Sequence, residues 1–131
     1  MAKYFLDANI ILDLIDSDRG NITLTREFVK EAIVERNELC TSCDIFTTVY
    51  YVASKKLSSK NIIAELEKLL TFIDVVAIDI DTIKEAMGLM GDKDDFEDML
   101  QYVCALRSHS SLIVTNDKNF YRGEIELRSL K

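Results

Sequence analysis

The 131-residue chain contains no proline and only four glycines, so few turns are marked by residue type. The ends of its helices must instead be marked by Asp, Asn, Ser and Thr, whose side chains accept hydrogen bonds from free backbone amides. No apolar run approaches the roughly 18 residues of a membrane helix, and Asp7 interrupts the one N-terminal stretch that resembles a signal peptide. We therefore expect a single domain spanning residues 1–131, located in the cytoplasm and not in a membrane.

Cysteine and histidine are scarce. Three cysteines stand in a chain that is long enough to bury a core without disulfides, so we expect free thiols in a reducing compartment. Cys40 and Cys43 have the spacing of half a zinc or redox motif, but only Cys104 and His109 remain as partners, which favours buried thiols. His109 is expected at the surface.

Positive charge is also in deficit, with 16 Lys and Arg against 23 Asp and Glu and a net charge of −7. Long-range electrostatics therefore repel a polyanion, and a nucleic-acid function requires divalent cations or a local basic patch. Candidate patches for binding RNA are Lys55 with Lys56, and Lys118 with Arg122. Solvated helix ends explain these side chains at least as well.

Short apolar runs alternate with amphipathic helical patterns along the chain. The runs at 3–7, 39–43, 75–78 and 112–115 predict buried strands, and the alternating tail at 125–127 predicts an edge strand. Strands separated by helices predict an α/β fold with a mainly parallel sheet and helices on both faces, which is a three-layer α/β/α arrangement.

Polar residues ahead of the helical patterns are the expected N-caps. In chain order they are Asn9, Asp44, Ser58 or Ser59, and Asp81 or Thr82. In the second helical pattern Leu24, Phe28, Ala32 and Ile33 recur at helical spacing, so these side chains are expected to form its apolar face.

Acids follow two of the predicted strands directly. Asp7 lies in FLDAN at 5–9 and Asp117 ends IVTND at 113–117, while a third acidic group, KDDFED at 93–98, opens a helix. Ligands of such sheets bind beyond the carboxyl ends of the strands. Carboxylates that converge there repel one another unless a cation neutralises them, and hard oxygen ligands suit Mg²⁺ or Mn²⁺. The pattern predicts a divalent-metal site.

Together these motifs resemble those of the PIN-domain family, metal-dependent ribonucleases of the PilT N-terminal type that include toxins of toxin–antitoxin modules. The resemblance covers nearly the whole chain and depends on FLDAN at 5–9, DFEDMLQY at 95–102 and VTNDKNF at 114–120. It implies a five-stranded parallel sheet with Asp7, Asp98 and Asp117 as the catalytic, metal-binding acids. The supporting residues that it implies are Asn9, Thr48, Asp95, Thr115 and Asn116.

The activity implied by this resemblance is hydrolysis of RNA by a metal-dependent endoribonuclease. Bound Mg²⁺ or Mn²⁺ lowers the pKa of a water molecule and stabilises charge on the leaving oxygen, so no histidine is required. The resemblance to toxins further implies a homodimer that is restrained by a cognate antitoxin.

One position departs from the family pattern. The helix after the second strand usually carries Glu or Asp where this chain has Thr48, and one fewer negative charge predicts weaker cation binding. Activity is then reduced unless Asp44, one helical turn earlier, compensates, although Asp44 is also the expected N-cap. The alternative function is therefore a weakened or inactive PIN module that binds RNA or a protein partner.

Other interpretations of the acids remain open. Asp7 with Asn9 can start a helix, Asp95 with Asp98 has the spacing of a capping box, and Asp117 can lie in a turn. The occurrence of three such acids in the family's order favours a functional site. A phosphoacceptor signalling domain also suits the length, acidity and α/β pattern, but the first strand lacks a tight acid pair and no arrangement of a nucleophilic Asp with a late Lys emerges.

Overall fold

Five parallel strands form the central sheet of the computed structural model, which describes residues 1–131. The strands are β1 Lys3–Leu6, β2 Glu38–Ser42, β3 Asp74–Val76, β4 Leu112–Val114 and β5 Glu126–Arg128. Their order across the sheet is β3-β2-β1-β4-β5, and every neighbouring pair is parallel. The predicted parallel sheet is confirmed, with β1 at its centre.

Six helices cover the two faces of the sheet. They are α1 Ala8–Ile15, α2 Ile22–Val34, α3 Ile45–Ala53, α4 Ser59–Leu69, α5 Ile80–Leu89 and α6 Phe96–Arg107. Helices α1 to α4 contribute to one hydrophobic core and α5 and α6 to the other, which confirms the three-layer α/β/α fold. No helix has both the length and the apolar character that crossing a membrane requires.

The two cores follow from the alternation of side chains along each strand. Leu6, together with Leu39 and Leu112 in β2 and β4, faces the core formed by α1 to α4. Its neighbour Phe5, together with Ile113 in β4, faces α5 and α6 on the other side. Strands that are buried on both faces have continuous apolar runs, which is why the sequence pattern identifies β1 and β4 so clearly. Each fully buried side chain of this size contributes about 1.5–3 kcal/mol.

The third strand differs from its prediction. It spans Asp74–Val76 and lies at the edge of the sheet, where Val75 is 37% exposed. The expectation of a buried strand at 75–78 was therefore wrong, because an edge strand has a neighbour on one side only.

The buried face of α2 also differs. Thr25, Val29 and Ala32 are buried, whereas Leu24 and Ile33 are 46% and 48% exposed. Thr25 belongs to the buried face because its hydroxyl donates to a carboxylate oxygen of the buried Asp13 at 3.3 Å. Hydrophobic spacing alone does not show this polar contact.

The helix caps correct two of the expected assignments. Asp7 and not Asn9 caps α1, since the Asp7 carboxylate accepts a hydrogen bond from the Ile10 amide at 2.9 Å. Asp79 caps α5 in place of Asp81 or Thr82, and Thr82 completes a capping box with it. Helix α4 begins as expected after Ser58, whose hydroxyl accepts from the amide of Asn61.

Two helices end in left-handed residues that are not glycine. Arg36 after α2 and His109 after α6 have φ angles of 61° and 59°. Beyond His109, the Ser110 amide donates back to the Ala105 carbonyl at 3.0 Å and closes the helix. His109 is exposed, as expected, and it lies just beyond the C-terminal end of α6.

All three cysteines are free thiols. Cys40 and Cys104 are buried as expected, whereas Cys43 is exposed because it lies just past the end of β2. The expectation of a buried Cys43 was wrong.

Candidate active site

The order of the strands creates a crevice beyond the carboxyl ends of β1 and β4. The chain adds β2 and β3 on one side of β1 and β4 and β5 on the other, so its connections diverge between β1 and β4. Open α/β sheets bind ligands at such a switch point. Asp7 directly follows β1, and Asp117 lies in the loop after β4.

Asp7 is held in one orientation at the floor of this crevice, where it is 3% exposed. One carboxylate oxygen accepts from the Ile10 amide and the other accepts from the hydroxyl of Thr115. The same hydroxyl oxygen of Thr115 accepts from the amide of Asp117 at 3.1 Å. Thr115 therefore ties Asp7 to the loop that carries Asp117.

Burial, with a smaller contribution from the nearby carboxylates of Asp117 and Asp13, raises the pKa of Asp7 to about 6. The hydrogen bonds from Thr115 and Ile10 oppose this shift. Asp13 has its own counterion, because the Arg19 guanidinium lies 2.6 Å from its carboxylate. Asp7 has no such partner, so its charge costs free energy until a cation is near.

The first turn of α6 brings further acids to the crevice. Asp95 caps the helix by accepting from the Asp98 amide at 3.0 Å, so its capping interpretation is correct. Burial raises the pKa of Asp98 to about 7, with additional contributions from Asp95, Asp117 and Asp7. Asp98 and Asp117 line the same cleft, and Thr115 joins Asp117 to Asp7, so carboxylates from three chain segments lie close together.

Gln101, which the sequence patterns do not single out, joins α6 to the start of α1. Its carbonyl oxygen accepts from the Ala8 amide at 3.0 Å, and its side chain is 1% exposed. Ala8 follows Asp7, and Gln101 lies one helical turn from Asp98. The contact therefore sets the spacing between these two acids. A polar side chain inside the buried stretch that runs from Met99 to Ala105 was the available signal.

Two clefts open next to each other at this edge of the sheet. The acidic cleft is lined by Asn9, Lys93, Asp95, Glu97, Asp98, Asp117 and Asn119. The basic cleft is lined by Thr115, Asn116, Asp117, Lys118, Arg122, Leu127, Ser129 and Lys131. Asp117 is common to both, so three cations lie beside the acids.

Most of the predicted site residues line one of these two clefts, and others line neither. Asn116 forms a wall of the basic cleft, since its carbonyl oxygen accepts from the Leu130 amide at 2.7 Å. Lys55 and Lys56 line neither cleft, and the Lys55 ammonium lies 5.1 Å from the centre of the Tyr51 ring. Lys131 and Glu97 line the clefts although they were not among the predicted site residues.

Thr48 contacts the acidic cleft through a partner on α6. Its hydroxyl donates to Oε2 of Glu97 at 2.8 Å. Asp44, one turn earlier on α3, accepts from the Ser42 hydroxyl and makes no side-chain capping bond, which corrects its expected role as N-cap. The other oxygen of Asp44 is buried without a hydrogen-bond partner, and burial raises the pKa of this carboxyl.

The donor chemistry of the acidic cleft fits a hard divalent cation. No three Asp, Glu, His or Cys side chains are placed to hold a metal ion as they stand. Mg²⁺ requires fewer protein ligands, because it keeps several waters and binds through one or two carboxylates plus substrate phosphates. A cation here would also favour the ionised forms of Asp7 and Asp98, whose pKa values are raised without one.

A fold with this strand order and acids at its switch point is that of a PIN domain. Residues 4–125 match the PIN domain family, and the chain belongs to that family. It is 35% identical over 128 residues to Ribonuclease VapC1 of Aquifex aeolicus (strain VF5), across 95% of this chain and 88% of the relative.

Solved structures share the fold. VapC20 of Mycobacterium tuberculosis, a sarcin-ricin loop cleaving toxin, has a TM-score of 0.72 and 13% identity over 89% of this chain and 92% of that one. A toxin–antitoxin complex from Klebsiella pneumoniae gives a TM-score of 0.68 and 17% identity over 98% of both chains. VapBC2 from Rickettsia felis, bound to a DNA fragment from its promoter, gives 0.67 and 16% identity over 97% of this chain and 98% of that chain. At these identities the likeness establishes the fold alone.

Proposed function

We propose that this PIN domain is a divalent-metal-dependent endoribonuclease of the cytoplasm and the toxin of a toxin–antitoxin pair. The supporting observation is the convergence of Asp7, Asp98 and Asp117, from three separate chain segments, at the switch point of the sheet. The relative that is 35% identical is a ribonuclease, which supports the same activity.

Asp98 and Asp117 in the cleft, with Asp7 beneath them, would hold Mg²⁺ or Mn²⁺. When bound, such an ion lowers the pKa of a water molecule and stabilises charge on the scissile phosphate and the leaving oxygen. The chain itself fixes the carboxylates: Thr115 orients Asp7, and the loop amide of Asn119 donates to the Asp117 carboxylate at 2.8 Å. Preformed orientation of this kind lowers the cost of assembling the reacting groups.

The basic cleft supplies the local positive charge that a chain of net charge −7 needs for RNA. Lys118, Arg122 and Lys131 stand beside Asp117, where they would bind the phosphates that flank the scissile bond. Lys55 and Lys56 lie outside both clefts and are the weaker candidates for substrate binding.

An exposed apolar groove between α2 and α4 is the surface we assign to the cognate antitoxin. Its walls include Val29, Ile33 and Phe72, and the cations Arg26 and Lys30 lie at its rim. A partner segment with apolar anchors and acidic flanks would match this groove in both shape and charge. Ile33→Glu should abolish capture of the antitoxin without loss of the fold.

A homodimer is also proposed, and sedimentation equilibrium tests it.

The competing candidate is a weakly active or inactive PIN module that binds RNA or a protein partner. Thr48 favours it, because a neutral hydroxyl stands where the family pattern has a carboxylate. The two candidates differ in whether RNA that is bound is also cut.

The test is cleavage of structured and single-stranded RNA by purified protein with Mg²⁺ or Mn²⁺ and with a chelator. Metal-dependent cleavage that Asp98→Asn removes and the exposed control Asp92→Asn retains would support the proposal. Cleavage that persists in chelator would contradict metal dependence. Binding of RNA without cleavage at any metal concentration would favour the competing candidate.

A further inference from the structure

Glu97 occupies an unusual position for an acid in the first turn of a helix. It stands between the cap residue Asp95 and Asp98, and its side chain lines the same acidic cleft as Asp98 and Asp117. Its Oε2 accepts the hydrogen bond from the Thr48 hydroxyl, and the bond links α6 to α3. The carboxylate is thereby held towards the cleft by a residue from a different helix.

The helix dipole alone does not explain this arrangement. An acid in the first turn is favoured by the positive end of the helix even when it is fully solvated and mobile. Glu97 is instead half-buried, forms no salt bridge, and lines a cleft together with Asp95, Asp98 and Asp117. A half-buried acid among other acids is costly unless a cation binds beside it.

Of the two acids near Thr48, only Glu97 reaches the cleft. Asp44 lines neither cleft, and one of its oxygens is buried with no partner. Glu97 lies one hydrogen bond, 2.8 Å, from the side chain at position 48, so its carboxylate occupies the region that an acid on α3 would reach.

We propose that Glu97 is a further metal-binding carboxylate of this site and that Thr48 is its positioning residue. The inference rests on the proposed function, because it assigns Glu97 to the same cation as Asp98 and Asp117. The acid is supplied by α6 and the hydroxyl that orients it by α3. At this place in the cleft the negative charge is then supplied by α6, where the family pattern has it on α3.

The experiment is calorimetric titration of Mn²⁺ into the intact chain and its variants. Glu97→Gln should weaken Mn²⁺ binding by about tenfold or more, and Thr48→Val by a smaller factor of about three- to tenfold, because loss of a partner that orients a ligand lowers metal affinity. Thr48→Ser keeps the hydroxyl and should bind as the parent does. Glu67→Gln, the same change on the exposed face of α4, is the matched control and should have no effect.

A second readout separates metal binding from a structural role. Thermal unfolding without metal should show that Glu97→Gln is at least as stable as the parent, since the change relieves repulsion among acids. A contact with only a structural role predicts a lower Tm and unchanged Mn²⁺ affinity. If Glu97→Gln does not fold, Thr48→Val decides the question, because it keeps the charge of Glu97 and removes its anchor.

The outcomes distinguish this inference from the proposed function. Parental Mn²⁺ affinity in Glu97→Gln, or in Thr48→Val if the former does not fold, together with loss of binding in Asp98→Asn, would overturn the role of Glu97 and leave the metal site standing. Parental affinity in Asp98→Asn and Asp117→Asn would overturn the metal site itself.

Discussion

The two halves of the acidic site are built in different ways. In the half formed by β1 and β4, both oxygens of Asp7 accept hydrogen bonds, and Thr115 connects that carboxylate to the Asp117 loop. In the half formed by α3 and α6, Asp44 has an oxygen with no partner and Glu97 depends on a single hydroxyl. Asp7 is fixed by two hydrogen bonds from the segments that directly follow β1 and β4, whereas Glu97 is fixed by one contact between side chains of two helices.

This difference separates the carboxylates that are needed for the cation to bind from the contact that adjusts its affinity. A carboxylate fixed by strand geometry keeps its place when neighbouring side chains change. A carboxylate fixed by one hydroxyl can be released or exchanged by a single substitution. The acids of the sheet half, together with Asp98, should therefore be essential for activity, and the contact between Thr48 and Glu97 should set how tightly the cation is held.

The largest expected effect comes from loss of any one of three acids, Asp7 and Asp117 in the sheet half and Asp98 at the start of α6. Asp7→Asn, Asp98→Asn and Asp117→Asn should each lower RNA cleavage by about 10²-fold or more, because each removes a charge that stabilises the bound ion. Asn is itself a good N-cap, so Asp7→Asn should keep α1 and the fold. Cleavage rates with Mn²⁺, together with circular dichroism, check this, and ordinary activity in the Asp98 variant would restore a purely structural role for that residue.

The pH dependence of stability should be set by two of these acids, Asp7 and Asp98. The pKa of Asp7 is about 6 in the folded state, whereas an unperturbed Asp has a pKa of 3.8. Without metal, the folded state binds more protons between these values, so the free energy of unfolding falls as pH rises through them. Asp7 alone should lower the free energy of unfolding by about 3 kcal/mol over this range. Asp98, whose pKa is about 7, extends the fall in the free energy of unfolding to higher pH.

Urea unfolding from pH 4 to pH 8 measures this slope. Asp7→Asn should remove the Asp7 share of the slope, which lies below about pH 6, and leave the part at higher pH that comes from Asp98. Saturating Mn²⁺ should reverse the slope, because metal binding favours the ionised carboxylates. Stability that rises with pH in the metal-free parent would contradict the raised pKa values.

A smaller effect is expected in the helix half. Thr48→Glu places a second carboxylate against Glu97, so the metal-free free energy of unfolding should fall by about 1–2 kcal/mol, while Mn²⁺ affinity rises by about five- to thirtyfold. Exchanging the two side chains in the double variant Thr48→Glu, Glu97→Thr should recover most of the lost stability. Calorimetry and melting of the single and double variants measure both effects, and additive losses would show that the two positions are not coupled.

The smallest effect lies outside both halves. His109→Gly should raise the free energy of unfolding by about 1 kcal/mol, because glycine adopts the left-handed conformation without the steric cost paid by other residues. RNA cleavage should not change. Urea unfolding and a cleavage assay check the two statements, and a fall in stability would mean that the His109 side chain makes a contact that stabilises the helix end.

The sequence predicted where Asp7 and Asp117 lie, after β1 and β4, for a physical reason. Strands that are buried on both faces have continuous apolar runs, and the acids that end them are adjacent in sequence to a recognisable pattern. The sequence does not predict the exposure of the edge strand β3, because its apolar run is like that of a buried strand. It also does not distinguish Asp7 from Asn9 as the cap of α1, because both are good capping residues two positions apart.

The helix half depends on contacts that no local pattern contains. Thr48 and Glu97 are 49 residues apart, and Gln101 and Ala8 are 93 residues apart. In the sequence Glu97 is an ordinary acid in the first turn of a helix, and Gln101 is one polar residue in an amphipathic pattern. Only the approach of the first turns of α6 to α3 and to the β1–α1 turn, through these two hydrogen bonds, gives either residue its place.

The position of a bound ion tests the central claim most directly. Crystals grown with Mn²⁺ and measured at its absorption edge locate the ion by anomalous scattering. The expected result is a peak in the acidic cleft within ligand distance of Asp98 and Asp117, with Glu97 turned towards it. A cleft without a peak at saturating Mn²⁺, or a peak only at surface carboxylates elsewhere, would contradict the assignment of this switch point as a metal-dependent active site.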